Sequence, residues 1–118
     1  MEVYVKSLLW DWSEAKAAVK PNAGIIVDSN FDPVVMEACA RRMKILQQCE
    51  TALLEVSLRP GLPKPLVNYF AARNDSGCSK CWLSSAGPTH PDCRKKIDRH
   101  FRTEEALFEF ARRECKPA

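Results

Sequence analysis

The sequence predicts a mainly α-helical single domain with a small N-terminal β element, built around one long helix. Three observations lead there. A proline-started apolar stripe with helical spacing spans residues 32–57, and short valine- and isoleucine-bearing runs precede it. The composition is that of an ordinary folded protein: of 118 residues, 46% are hydrophobic and 28% charged, which argues against wholesale disorder. A second independent core would leave each half undersized. The chain therefore reads as one domain over residues 1–118, differing in character between a strand and long-helix part, 1–77, and a cysteine-rich part, 78–118.

Val3, Val5 and then Leu8, Leu9 and Trp10 fit a first short strand. Ser13 is placed to cap a short helix from Glu14 to Val19, which the turn-forming Pro21, Asn22 and Gly24 end. Gly24–Val27 reads as a second strand. The clearest element starts at Asp32-Pro33, a capping residue followed by the proline favoured at the first helical position, and runs to about Ser57. Val35, Cys39, Met43, Leu46, Cys49, Leu53 and Val56 recur along it at three- and four-residue steps, forming one stripe that faces the core or a second chain. Cys39 and Cys49 sit on that stripe as small hydrophobes. After Pro60, Pro63 and Pro65, residues Leu66–Ala72 form a short helix that stops near Asn74–Gly77. Pro91 opens a helix through Cys93–Phe101, and Thr103 caps a last one that buries Leu107, Phe108, Phe110 and Ala111.

Six cysteines in a chain with no secretory leader point to thiols and a metal rather than disulfides, and to the cytoplasm or nucleus. No apolar run approaches the roughly 18 residues a membrane span needs. Cys78-x-x-Cys81 and His90-x-x-Cys93 place four ligands within sixteen residues, in a chain with only two histidines. Such pairs grip one tetrahedral zinc ion, and Lys80 inside the first pair favours the metal-binding thiolate. The ligand order matches a half-site of cross-braced zinc modules, with a shorter spacer, Trp82–Thr89. His100 and Cys115 are further candidates for the ligand set. The domain is therefore expected to be zinc-stabilised.

Charge placement adds a direction. Residues 1–77 balance nine Lys/Arg against nine Asp/Glu, while 78–118 carry nine against six, so the net +3 sits in the cysteine-rich half. Arg94, Lys95, Lys96, Arg99 and Arg102 oppose only Asp98 between Cys93 and Arg102. This segment suits nucleic acid, RNA or DNA, or an acidic protein, with Trp82 as a stacking residue. Trp10 and Trp12 read as core or partner contacts first and base-stacking residues second.

The chain has no GxxxxGK[ST], GxGxxG or HExxH, and no glutamate beside His90 for zinc-assisted hydrolysis. Both histidines lie in or near the candidate cluster, which argues against Cys–His catalysis. The sequence-based expectation is a non-enzymatic zinc-binding regulatory protein that engages nucleic acid. The competing class is a zinc-stabilised protein–protein module, an adaptor or accessory protein of the sort viruses also use, dimerising through the long-helix stripe.

Overall fold

The computed structural model describes residues 1–75 and 91–118, and each regular element among them is an α-helix. These are α1 (Val3–Val19), α2 (Asn22–Asp28), α3 (Pro33–Glu55), α4 (Lys64–Asp75) and α5 (Pro91–Glu114). α1 lies along α3 and α4 along α5, and contact between α1 and α5 joins the two pairs; short α2 folds back onto α3. The molecule is a slab of 45 × 40 × 21 Å, its thinnest dimension matching two helix layers of about 10 Å each. Among the described residues, no helix is long and apolar enough to cross a membrane.

The expected N-terminal β element is replaced by helix, and burial shows why. Val3 is 84% exposed while Val5, Leu9, Trp12 and Ala15 are buried, so the inward residues step by four and three rather than by two. The Val3/Val5 alternation is a two-residue signal. Over all of Val3–Val19 it is outweighed by leucine, alanine, lysine and glutamate, which favour helix. Ser13 is consequently interior to α1 rather than a cap, and its Oγ donates to the Trp10 carbonyl at 2.8 Å. The second expected strand, Gly24–Val27, falls within α2. With α1 helical it has no neighbouring strand to pair with, and a helix satisfies its backbone internally.

The long helix matches expectation closely. Asp32 caps α3, its Oδ1 accepting from the Val34 and Val35 amides at 2.8 and 3.4 Å. Most of the stripe faces inward on the same chain: Cys39, Leu46, Leu53 and Val56 are buried and Cys49 packs half-buried against the core, while Val35 is half-buried and Met43 is 44% exposed. That placement puts most of the stripe in the chain's own core, the first of the two fates its pattern allows. Leu46 and Leu53 meet Val5, Leu9 and Trp12 of α1, Leu66, Tyr69 and Phe70 of α4, and Leu107 and Ala111 of α5 in one cluster. Trp12, fully buried, meets Tyr69 and Phe108 edge-on with ring centroids 5.9 and 6.4 Å apart.

Two further boundaries differ from expectation. α5 is continuous, because no glycine or proline interrupts it after Pro91, and Thr103 sits mid-helix rather than at a cap. Its Oγ1 lies 2.9 Å from the carbonyls of Arg99 and His100, donating within its own helix. At the α2–α3 corner Asn30 and Phe31 both take left-handed backbone, at φ 56° and 60°. A non-glycine residue there costs about 1–3 kcal/mol. Amide bonds from Asn30 to the Val27 carbonyl and from Phe31 to the Ile26 carbonyl, both 3.0 Å, hold the corner in place.

Candidate metal ligands and basic face

Cys78, Cys81, His90 and Trp82, four of the residues singled out from sequence, lie outside the described residues. Cys93, the remaining member of the ligand set, is half-buried in the first turn of α5, two positions after Pro91. Among the described residues, no group of three or more His, Cys, Asp or Glu side chains is placed to hold a metal ion. The helix separates Cys93 from its alternatives. Cys115 follows it by 22 positions, about 33 Å along the axis at 1.5 Å per residue, and is buried in the core cluster. Burial, opposed by Lys6 and assisted by Glu114, pushes the Cys115 thiol up from its ordinary pKa. It is a core residue, and cannot share an ion with Cys93.

His100 lies two turns from Cys93, about 10 Å along α5, too far for bonds of about 2.0–2.3 Å to one zinc ion without stretching both side chains toward each other. Its Nε2 edge is engaged elsewhere, while Nδ1 is buried without a hydrogen-bond partner among the described residues. Nε2 is 3.5 Å from Glu104 Oε2 one turn on, and the ring centroid stands 5.8 Å from Tyr69. Glu104 also pairs with Lys16 of α1, whose ammonium lies over Trp12. His100 thus belongs to a polar seam joining α1, α4 and α5. Tyr69 continues it: its hydroxyl accepts from Arg73 at 3.0 Å, and the same Arg73 nitrogen donates to Glu50 of α3 at 3.3 Å.

The five basic residues form the solvent side of the first half of α5. Arg94, Lys95, Lys96, Arg99 and Arg102 are all exposed, while Ile97 points into the core. Lys95 and Arg99 are one turn apart, as are Lys96 and Arg99, and Arg99 and Arg102. Each such like-charge pair destabilises a helix by about 0.2–0.5 kcal/mol, and Asp98, one turn from Arg94, Lys95 and Arg102, offsets it by similar amounts. Arg99 is relieved by Asp75 at the end of α4, 3.1 Å away, in a pair exposed on both sides. Arg102 Nε donates weakly to the Asp98 carbonyl at 3.4 Å. Among the described residues, Arg94, Lys95, Lys96 and Arg102 have no ion-pair partner in the structure.

Phe101 is a neighbour that the sequence reading did not single out. It is 53% exposed and 5.6 Å from the His100 ring, which rests in turn against Tyr69. An aromatic series thus runs from the core out to the edge of the basic face. The signal in the sequence is His100-Phe101-Arg102, an aromatic pair within a basic run. Trp12 is fully buried, which removes it as a stacking residue, and half-buried Trp10 is covered by the Arg112 guanidinium 4.4 Å from its ring centroid.

Compared with protein-family models, with curated proteins and with solved structures, the chain matches none.

Proposed function

We propose that the protein is a non-enzymatic, zinc-stabilised regulatory protein that binds nucleic acid through the first half of α5. The observation that carries the reading is the concentration of exposed cations on that face. Five cations share about two and a half turns with Asp98 alone among them, and only Arg99 has a carboxylate partner among the described residues. A helix arranged for stability alone would intersperse the signs, as the second half of α5 does with Glu105, Glu109, Arg112 and Arg113. Phosphates match that excess of positive charge, and each one neutralised releases condensed counterions. The exposed Arg99–Asp75 pair holds little energy and yields to a phosphate.

Zinc fits the same reading. Held by Cys78, Cys81, His90 and Cys93, it would fasten the chain preceding α5 to that helix's first turn and fix where the basic face begins, supplying folding free energy there. Phe101 offers an exposed ring for an unpaired base, at the edge of the cations that track the backbone.

The test is binding to single- and double-stranded oligonucleotides across a salt series, with wild type and Lys95→Ala/Lys96→Ala, both verified to be folded. The wild type binds with strong salt dependence, and the variant lowers the slope of log K against log salt by roughly 1.4–1.8, at about 0.7–0.9 per phosphate. Phe101→Ala weakens single-strand binding without changing the slope. Absence of binding by the wild type at low salt overturns the proposal and turns the face toward an acidic protein.

A further inference from the structure

We infer that the corner between α2 and α3, centred on Phe31, is a docking surface for a basic, amphipathic segment of a partner protein. The corner lies apart in sequence from the cations of α5, and the inference does not depend on the nucleic-acid reading.

Phe31 does little for the fold while occupying a place that disfavours it. A left-handed backbone is uncommon outside glycine and asparagine and an outlier for a bulky side chain, yet Phe31 adopts it with φ 60° directly after Asn30. The turn is fixed by its own bonds. Besides the two amide bonds already described, Ser29 Oγ donates to the Ile26 carbonyl at 2.9 Å and accepts from the Asp32 amide at 3.3 Å. None of these bonds uses the phenyl ring, which is left 60% exposed. A glycine would take the same backbone without strain. The ring is therefore presented outward by a rigid corner rather than spent on the core.

Further apolar side chains flank the ring along the chain. Val27 and Val34 are 62 and 72% exposed, so with Phe31 three apolar side chains within eight residues of chain are left open to water. Scattered exposed hydrophobes are ordinary, whereas several grouped at one corner mark a contact site.

Charge selects the occupant. Residues 21–40 contain no lysine or arginine, and their charged residues are Asp28, Asp32 and Glu37, all exposed. No ion pair among the described residues involves any of the three. Asp28 stands at the end of α2 that meets the corner, whereas Arg42 of α3 bonds Asn22 at the opposite end of α2, 3.4 Å away. An apolar patch with an acidic rim repels nucleic acid and anionic membranes, and attracts a polypeptide whose apolar anchors are flanked by lysine or arginine.

The probe is a fluorescein-labelled leucine/lysine amphipathic 14-mer, with a leucine/glutamate 14-mer of the same pattern as control. Binding to the full chain is read by anisotropy and located by amide shifts in ¹H–¹⁵N spectra. Phe31→Gly removes the ring and relieves the backbone, so this variant keeps or raises the thermal midpoint. The lysine peptide is expected to bind wild type, to shift residues 25–37, and to lose about tenfold or more in affinity on Phe31→Gly and on Asp28→Lys/Glu37→Lys; the glutamate peptide does not bind. Shifts confined to other helices, or affinity unchanged by Phe31→Gly, overturn the inference. So does a wild type that sediments as a dimer and a Phe31→Gly variant that sediments as a monomer, which would assign the corner to a second copy. A large fall in the thermal midpoint of Phe31→Gly also overturns it, since the ring would then be serving the fold.

Discussion

Truncating Leu46 to alanine distinguishes a stripe that builds this chain's own core from one that joins two chains. Leu46 is 5% exposed within a single molecule and lies in the cluster with Val5, Leu9 and Trp12 of α1. Removing a buried leucine side chain to alanine costs about 2–5 kcal/mol, the transfer of the lost atoms plus the cavity left behind. A domain of this length gains about 0.25 kcal/mol/K of entropy on unfolding, at about 2.1 cal/mol/K per residue. A loss of about 3 kcal/mol therefore lowers the midpoint by about 12 °C. Circular dichroism melts at two protein concentrations, with sedimentation of both proteins, make the measurement. The shift should be the same at both concentrations, with wild type and variant sedimenting alike. A shift of under about 3 °C, or a dimeric wild type that Leu46→Ala converts to a folded monomer, would refute the intramolecular placement.

Asp32→Ala removes the acceptor for the Val34 and Val35 amides, and should cost about 1 kcal/mol, or about 4 °C in a thermal melt; Asp32→Asn should recover most of it. Alkaline pH should destabilise the fold. Burial raises Cys115 from the ordinary 9.0 and Tyr69 from 10.0, the latter against the Arg73 hydrogen bond. The folded state then keeps protons that the unfolded chain gives up, so this stability is complete below about pH 9 and declines as pH rises through the folded values. Denaturant titrations from pH 8 to 11 should show the decline, and Cys115→Ala should flatten it. Purified protein should carry about one zinc per chain, lost in Cys78→Ser and Cys93→Ser and kept in Cys115→Ser; elemental analysis finding Cys115→Ser without zinc would contradict the distance of Cys115 from Cys93.

The helix from Pro33 was legible because two independent signals coincide at its start, the Asp32 cap and the proline, and because its stripe runs for six turns. α1 was misread because a local valine alternation was weighed against too short a window; the spacing of Val5, Leu9 and Trp12 carries the correct period once Val3 is left out. Thr103 misled for a related reason. Its hydroxyl bonds backward to Arg99 and His100 as readily as it caps a new helix, and propensity does not separate the two uses. Of the candidate site, the cations were plain in the sequence, whereas the bond from Arg99 to Asp75 requires α4 and α5 to be neighbours, which no local pattern encodes. Phe31 escaped notice for the opposite reason. Sequence rules expect a phenylalanine to be buried, and only the backbone conformation at residues 30–31 reveals that this one is held outward.

The uninterrupted course of α5 separates two kinds of evolutionary constraint along one helix. From Arg94 to Arg102 only Ile97 is buried and His100 half-buried, whereas Leu107, Ala111 and the following Cys115 are fixed in the core. Substitutions in the leading half can therefore change sign, size or aromaticity at seven of nine positions with little effect on folding. The trailing half keeps those positions aligned whatever they become. Folding alone therefore leaves the leading half free to vary, and any constancy found there among related sequences would have to come from a ligand rather than from the core.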